Sequence, residues 1–320
     1  MKTDLRLLSK LGPRAVYGQT VLSLAQDNAS IIAMSADLGN SSGLDRMRKQ
    51  LPNQFINVGI SEQSLVLVAA GMAREGFEVF ASSFAPFLTM RALEMVRMNM
   101  GYMKEPVKLV GLGSGLGMAF LGNSHFGLED IAVMRTIPNM RILSPADCYE
   151  VALAVTQSIG CGPTYIRLTG VPNMPMVHSE PCGRDLSVPE TYLEGSDVMI
   201  VATGSMVAPS KMAADHLGSS GIDACVINLS QLKPIPNEFI ELLSRTSALI
   251  VTVEEHSIVG GLFTIVSEIL TLTSSIRRVV PLALPDTFSI TASYEHLLKH
   301  HGLTSDQIVK RILVELKSDA

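Results

Sequence analysis

An acidic residue at the start of a long apolar segment is the first feature of this sequence that could do chemistry. In NVGISEQSLVLVAAGMAREG, residues 57–76, Glu62 precedes a run of mostly hydrocarbon side chains. Because an unpaired charge beside buried hydrocarbon is costly, a carboxylate there needs a structural or a catalytic reason. The structural alternative is helix capping, with Ser61 as the N-cap residue and Glu62 in the first turn.

Three further segments carry residue types that suit a binding site. His125 lies in GNSHFG, a glycine-containing loop after an apolar segment, and Phe84 and Phe87 lie close together in SSFAPFL. Asp37 and Leu38 end the segment SIIAMSADL. Each also has an ordinary explanation, since lone histidines are often surface residues, phenylalanines often pack in helix cores, and aspartate favours turns.

The pattern of apolar segments around these residues predicts a parallel β-sheet covered by helices, which must position them. Helical patterns, for example over 61–76 and 86–100, alternate with apolar strand segments. The strands are predicted at residues 30–38, 54–60, 77–84, 107–113, 140–147 and 163–168. Continuous apolar strands alternating with helices are typical of a doubly wound α/β fold, in which Glu62 lies at the ligand-binding carboxyl edge.

The alternation stops in a proline-containing stretch, residues 171–190, and then resumes. We therefore predict the fold class α/β with two doubly wound domains. The first covers residues 1–175, a linker covers 176–190, and a smaller domain covers 191–320. Near the end of a predicted strand of the second domain, EEHS (Glu254 to Ser257) either reaches an interface or forms a solvated turn.

Composition excludes several classes of partner. The net charge of −5 and the lack of a basic run argue against nucleic acid and anionic membrane surfaces. The N-terminal residues do not resemble a signal peptide, and no stretch approaches the roughly 18 apolar residues of a membrane span. The four cysteines form no C-x-x-C pair, which favours free thiols in a reducing cytoplasm.

Four segments in series resemble the C-terminal half of a transketolase. They are SADL, FINVGISEQ, FASSFAPFLTMRALEMVR and NSHFGLEDIAVMRTIPNMRILSPAD. The resemblance covers residues 14–168 and continues more loosely through LKPIP and TVEEHSIVGG. It is especially close to the split transketolases, whose two halves are separate chains. It implies a pyrimidine-binding domain for thiamine diphosphate, followed by a smaller transketolase C-terminal-type domain.

The resemblance implies a cofactor site on this chain. Glu62 would act as the catalytic acid, in a mostly apolar slot, by sharing a proton with a ring nitrogen of the cofactor's aminopyrimidine. Phe84 and Phe87 match aromatic residues that stack around that ring, and Met90 stands where transketolases often have another aromatic residue. The remaining implied cofactor contacts, near the thiazolium ring, are Asp37 and Leu38.

A substrate site is implied as well, with departures from the family pattern. His125 matches a catalytic histidine that faces substrate hydroxyls, and Arg14 and Ser41 match phosphate-contacting residues. A histidine, an acid and an arginine of the family pattern are absent, and the residues in their places are Gly113, Leu121 and Gly170. Losing charge-assisted hydrogen bonds weakens a phosphate site. We therefore expect a deoxy, modified, nucleotide-linked or non-phosphorylated sugar, or a smaller keto acid, as the substrate.

The sequence lacks the Gly-Asp-Gly motif with which thiamine diphosphate enzymes hold Mg²⁺ and the diphosphate. The stretch GLGSGLG, residues 111–117, is no substitute, because it lacks the G-x-G-x-x-G spacing. We interpret it as a loop that lets the backbone approach a substrate, or as a simple turn. We thus predict no metal ligands here, and a partner N-terminal-half subunit that binds the metal and shares the cofactor, in a heterotetramer.

The leading hypothesis is transfer of a two-carbon ketol unit from a ketose donor to an aldehyde acceptor. The alternatives are the β subunit of a 2-oxo-acid dehydrogenase or decarboxylase, an acyloin-forming enzyme, a relative of 1-deoxyxylulose-5-phosphate synthase, and a non-catalytic partner subunit. A plain nucleotide-binding domain is disfavoured because its phosphate-binding fingerprint is missing.

Overall fold

The structure is a computed structural model that describes residues 4–246, 248–275 and 277–318. Its strands belong to two sheets, one seven-stranded and one five-stranded. In chain order they are β1 (Ile31–Ser35), β2 (Phe55–Asn57), β3 (Glu78–Phe84), β4 (Lys108–Ser114), β5 (Arg141–Leu143), β6 (Thr164–Thr169), β7 (Glu190–Leu193), β8 (Val198–Ala202), β9 (Ala224–Asn228), β10 (Gln231–Lys233), β11 (Leu249–Ser257) and β12 (Val279–Leu284).

Helices cover both sheets. In chain order they are α1 (Leu5–Leu11), α2 (Pro13–Asp27), α3 (Asp45–Gln50), α4 (Glu62–Arg74), α5 (Leu93–Met95), α6 (Asp130–Arg135), α7 (Cys148–Ser158), α8 (Val207–Gly218), α9 (Asn237–Arg245), α10 (Leu262–Leu272), α11 (Tyr294–His300) and α12 (Ser305–Ser318). Two π-helical segments, Phe87–Arg91 and Val96–Tyr102, flank α5, so the helix predicted at 86–100 is present in a widened form. No helix in the described part of the chain is long and apolar enough to span a membrane.

The α/β fold class is confirmed. The first sheet has the order β10-β5-β6-β4-β3-β1-β2 and is parallel except for β10 at one edge. The second has the order β12-β11-β8-β9-β7 and is parallel except for β7. Strands β1, β4 and β8 are buried along their whole length, as expected for strands covered on both faces. The edge strand β10 comes from the C-terminal part of the chain and pairs with β5 of the first sheet.

The stretch predicted as a linker, 176–190, is packed against the rest of the molecule. His178 and Leu186 are buried. Arg184 forms ion pairs with Glu150 on α7 and, at 2.9 Å, with Glu190 at the start of β7. The segment therefore connects the two sheets through defined contacts, and the domain boundaries stay a prediction.

A buried polar network joins the first sheet to β11. Arg167 on β6 lies 2.9 Å from Asp130 on α6, and both side chains are almost completely buried. The Arg167 guanidinium also donates to the carbonyl of Glu255, at 2.8 Å. Glu254, Glu255 and His256 are buried as well. The alternative of a solvated turn at EEHS is therefore wrong, because these residues end β11 and the first three of their side chains face the interior.

The glycines of GLGSGLG leave space for neighbouring side chains of the same chain, not for a substrate. A side chain at Gly111 would overlap Tyr165, one at Gly113 would overlap Met118, and one at Gly115 would overlap the carboxylate of Glu255. These glycines therefore admit side chains of this chain itself, and the interpretation as a substrate-approach loop is not supported by their contacts.

Gly18 on α2 determines where the loop that contains Ser41 lies. A Cβ atom at Gly18 would overlap the carbonyl of Gly43, which itself has φ +77°. We expect Gly18→Ala to lower the free energy of unfolding by about 1–3 kcal/mol, the usual cost of overpacking. Urea unfolding measures this, with Gly71→Ala on α4 as the control, because nothing lies within 4 Å of its added methyl group. Equal midpoints for both variants would contradict the expectation.

Candidate active site

Glu62 is the first residue of α4 and turns its side chain into the protein. The carboxylate is only 3% exposed. Ser83 at the end of β3 donates a hydrogen bond to Oε1 at 3.2 Å, and Arg91 lies 2.8 Å from Oε2. The expectation of a mostly apolar slot is thus wrong on one side, where a guanidinium pairs with the acid. Ser61 occupies the N-cap position without a side-chain capping bond, so helix capping does not explain the acid.

The predicted aromatic residues and the predicted histidine lie together beside this pair. The ring centroids of Phe84 and Phe87 are 5.9 Å apart, and the His125 ring lies 5.6 Å from Phe84 and 5.3 Å from Phe87. The guanidinium carbon of Arg91 lies 4.2 Å from the Phe87 ring centroid. Arg91 therefore connects Glu62 to the aromatic group. We call Glu62, Ser83, Phe84, Phe87, Arg91 and His125 the Glu62 cluster.

Asp37 and Leu38 form a turn at the end of β1. Asp37 is exposed and has φ +59°, and the Ser35 hydroxyl accepts a hydrogen bond from the Leu38 amide at 2.9 Å. Asn57, at the end of β2, accepts from the Asp37 amide at 2.9 Å and donates to its carboxylate at 3.0 Å. The same Asn57 oxygen accepts from the amide of Gly59 at 3.0 Å. Asn57 thereby ties this turn to the loop that precedes Glu62.

Met90 follows Phe87 along the same helical segment but lies at the surface. Met90 is 47% exposed, whereas Phe87 is partly buried. The role of Met90 as a cofactor contact therefore stays a prediction.

Arg14 and Ser41 line one cavity of about 260 Å³, together with Gly170. Burial lowers the pKa of the Arg14 guanidinium. Gly170, which stands where the family pattern has an arginine, has φ +81°, and a side chain there would overlap the sulfur of Met174. The cavity therefore has one arginine and no room for a second at this position. Of the predicted substrate residues, Arg14 and Ser41 lie together here, while His125 belongs to the Glu62 cluster.

Sequence reasoning missed Arg91, Ser83 and Asn57. Arg91 and Ser83 are 29 and 21 residues from Glu62 in the chain, a separation at which no local pattern indicates contact. The one available signal was that Ser83, Arg91 and Asn57 all lie inside the quoted segments FASSFAPFLTMRALEMVR and FINVGISEQ.

Two family profiles match the sequence. The first, described as "Transketolase, pyrimidine binding domain", matches residues 9–170 and thus includes the whole Glu62 cluster. The second, described as "Transketolase, C-terminal domain", matches residues 190–308. Together they span most of the chain.

Two relatives resemble the chain over nearly its full length. One subunit of the apulose-4-phosphate transketolase of Phocaeicola vulgatus is 33% identical over 305 residues, which cover 95% of this chain and 97% of that protein. A 6-deoxy-6-sulfo-D-fructose transketolase subunit of Clostridium sp. (strain MSTE9) is 34% identical over 300 residues, which cover 93% of this chain and 92% of that protein.

A solved structure gives the same result. A split-gene transketolase, described as an inactive β4 tetramer, superimposes with a TM-score of 0.85 at 36% identity, over 95% of this chain and 98% of that chain. The chain therefore belongs to the transketolase family and corresponds to the C-terminal half of a split transketolase.

Proposed function

We propose that this chain supplies the pyrimidine-binding half of a thiamine diphosphate site and transfers a two-carbon ketol unit from a ketose-type donor to an aldehyde acceptor. The observation that carries the proposal is the Glu62 cluster, in which a buried carboxylate pairs with Arg91 and Arg91 packs on Phe87, whose ring contacts Phe84 and His125. A carboxyl group next to aromatic surfaces suits a planar nitrogen heterocycle, since it can exchange a proton with a ring nitrogen while the rings stack.

The residues present fit such a cofactor ring. Beyond the carboxylate and the two phenyl rings, Gly59 has nothing within 4 Å of where a Cβ atom would stand, so the loop before Glu62 borders open space. When bound, thiamine diphosphate supplies a carbon nucleophile that stores the electrons of the cleaved carbon–carbon bond. Glu62 would hold the exchangeable proton at a carboxylate oxygen, and Phe84 and Phe87 would keep water away from it.

His125 is the residue that we propose to contact the substrate. Its Nδ1 lies 2.9 Å from the hydroxyl of Ser124, and its ring rests edge-on against Phe84 and Phe87. With Nδ1 engaged, Nε2 is the ring nitrogen that can exchange a hydrogen bond or a proton with a substrate hydroxyl.

The diphosphate and Mg²⁺, in this proposal, belong to a separate N-terminal-half subunit, with which the chain forms a heterotetramer. Support comes from the missing Gly-Asp-Gly motif and from the naming of both relatives as transketolase subunits. We place the enzyme in the cytoplasm, because free cysteines suit a reducing compartment.

The substrate is proposed to be a modified ketose with a single anionic group. The Arg14 cavity offers one guanidinium. Leu121 stands at the position of an acid in the family pattern and is 51% exposed. The names of the two relatives give apulose 4-phosphate and 6-deoxy-6-sulfofructose as their substrates, and both are modified sugars with one such group.

Reconstitution tests the proposal. Purified alone, the chain should show no donor turnover, and mixed with an N-terminal-half subunit that carries Gly-Asp-Gly it should transfer ketol units in the presence of Mg²⁺ and thiamine diphosphate. Release of carbon dioxide from pyruvate without ketol transfer would contradict the reaction class. Xylulose 5-phosphate as the most efficient donor would contradict the substrate class.

The same assay tests the Arg14 cavity. Arg14→Ala should raise the KM of an anionic donor by about 10- to 100-fold, since one charge-assisted hydrogen bond contributes about 1.5–3 kcal/mol. An uncharged ketose is the internal control, and its KM should not change. An equal effect on both donors would show that Arg14 does not bind the anionic group.

A further inference from the structure

The loop that carries His125 runs from β4 to α6 and is closed at its base. Gly115 and Gly127 exchange two backbone hydrogen bonds, of 2.8 and 3.1 Å. We call residues 115–127 the His125 loop. Its tip is poorly packed, because Phe120 and Leu121 are 75% and 51% exposed. Leu116 and Phe126, near the ends of the loop, are buried, but a tip with few buried apolar contacts opens readily unless something else holds it.

A side-chain amide at the tip supplies such a hold. Asn123 donates from Nδ2 to the carbonyl of Ser289, at 2.7 Å, and the Ser289 amide donates to Asn123 Oδ1, at 2.9 Å. The two residues are 166 positions apart in the chain. Because both polar groups of the amide pair with one backbone residue, the contact fixes the direction of the tip as well as its distance.

The surrounding backbone is shaped for this contact. Gly122, next to Asn123, has φ +69°, and a side chain there would overlap the methyl group of Thr291. Ser289 is itself anchored, since it is 9% exposed and its hydroxyl lies 2.7 Å from Nε2 of His301, just after α11. Ser289, opposite the tip, is therefore itself held by a neighbouring helix end.

Residues outside the loop also hold its root, next to Gly115 and Gly127. The carboxylate of Glu255, on β11, accepts a hydrogen bond from the Leu116 amide at 2.5 Å. Arg167 donates to the Gly127 carbonyl at 3.3 Å. Residues of the C-terminal half thus contact the His125 loop at its root through Glu255 and at its tip through Ser289.

We propose that Asn123 and the backbone of Ser289 form a clamp through which the C-terminal domain positions His125 for the substrate. Asn123 is a positioning residue, two residues before His125, and does not itself take part in the reaction. The inference rests on the proposed role of His125, and it assigns a function to a domain whose residues lie outside the Glu62 cluster.

Hydrogen exchange on the purified chain tests the clamp without any catalysis. In Asn123→Ala, exchange of amides in residues 118–126 should speed up by about tenfold, the effect of losing two hydrogen bonds on local opening. Asn123→Asp should behave in the same way, because its second carboxylate oxygen faces the Ser289 carbonyl. An exchange rate in Asn123→Ala equal to that of the wild type would overturn the clamp. An unchanged rate in Asn123→Asp would also overturn it, because it would show that only the shape of the side chain matters.

A matched control uses another amide of the C-terminal half. Gln307 on α12 donates to the carbonyl of Lys299 at 2.8 Å, far along the chain from the His125 loop. Gln307→Ala should leave exchange in residues 118–126 unchanged. An equal increase in this variant would mean that the effect of Asn123→Ala is a general loosening, and would overturn the proposal.

Kinetics of the assembled enzyme test the link to His125. Asn123→Ala should reduce kcat/KM by about tenfold, since small misplacements of a catalytic group cost up to about 10²-fold. The double variant with His125→Ala should be no slower than His125→Ala alone, because both changes act through one residue. Additive losses would overturn the positioning role. If the assembled enzyme shows no ketol transfer at all, the proposed function fails, and hydrogen exchange still decides whether the clamp holds the loop.

Discussion

Glu62→Gln is expected to reduce ketol transfer by the assembled enzyme by about 10²–10⁴-fold, the usual contribution of a positioned acid or base. Glutamine keeps the shape of glutamate and can still accept a hydrogen bond from Arg91, at the position where the carboxylate now lies 2.8 Å away. It cannot gain and lose a proton, however. The loss should therefore appear in kcat, measured in reconstituted enzyme at saturating cofactor and donor.

Two controls separate proton transfer from structural damage. Ser83→Ala removes the 3.2 Å hydrogen bond to Oε1 and leaves the carboxylate, so it should cost far less activity than Glu62→Gln. The unfolding midpoint of Glu62→Gln should lie near that of the wild type. If Glu62→Gln turned over at the wild-type rate, the chain would be a non-catalytic partner, or its acid would lie elsewhere.

Asp130→Asn is expected to lower the free energy of unfolding by about 3–5 kcal/mol, because it removes the carboxylate that pairs with the buried Arg167 guanidinium. The pair is 1% and 0% exposed, and Tyr165 also donates to Asp130 at 2.8 Å. Burial opposes the charged form of Arg167, but the neighbouring Asp130 carboxylate raises its pKa, so the guanidinium stays charged. Urea unfolding of the purified chain gives the value.

A double-mutant cycle and a surface pair provide the controls. Adding Arg167→Met to Asp130→Asn should cost less than the sum of the single variants, since the second change removes the stranded charge. Arg97→Ala breaks an exposed pair with Glu94 and should leave the unfolding midpoint unchanged. A midpoint for Asp130→Asn equal to that of Arg97→Ala would contradict the prediction.

Local patterns predicted the strands and helices around the site well. The apolar segments at 30–38 and 77–84 contain β1 and β3, the segment at 107–113 covers all but the last residue of β4, and the segment at 61–76 contains α4. Such elements are readable because strand burial and helix periodicity are properties of neighbouring residues. The N-terminal helices α1 and α2 were not predicted, although α2 supplies Arg14 and contacts the loop of Ser41.

The contacts that join distant segments could not be read in this way. Nothing near Glu62 in the sequence indicates Arg91, and nothing near Asn123 indicates Ser289. Strand β10 pairs with β5 across about 90 residues, and Glu255 meets Leu116 across 139. The glycines of residues 111–117 suggested substrate approach, whereas their neighbours are Tyr165, Met118 and Glu255. Only the folded structure determines which partner fills the space beside a glycine.

The position of Glu62 relative to the cofactor ring is the most direct test of the whole account. A crystal structure of the chain assembled with an N-terminal-half subunit and thiamine diphosphate should place a pyrimidine nitrogen about 2.6–3.2 Å from a Glu62 carboxylate oxygen, with Phe87 against the ring. A ring bound elsewhere, or one that leaves Glu62 paired with Arg91 alone, would contradict it.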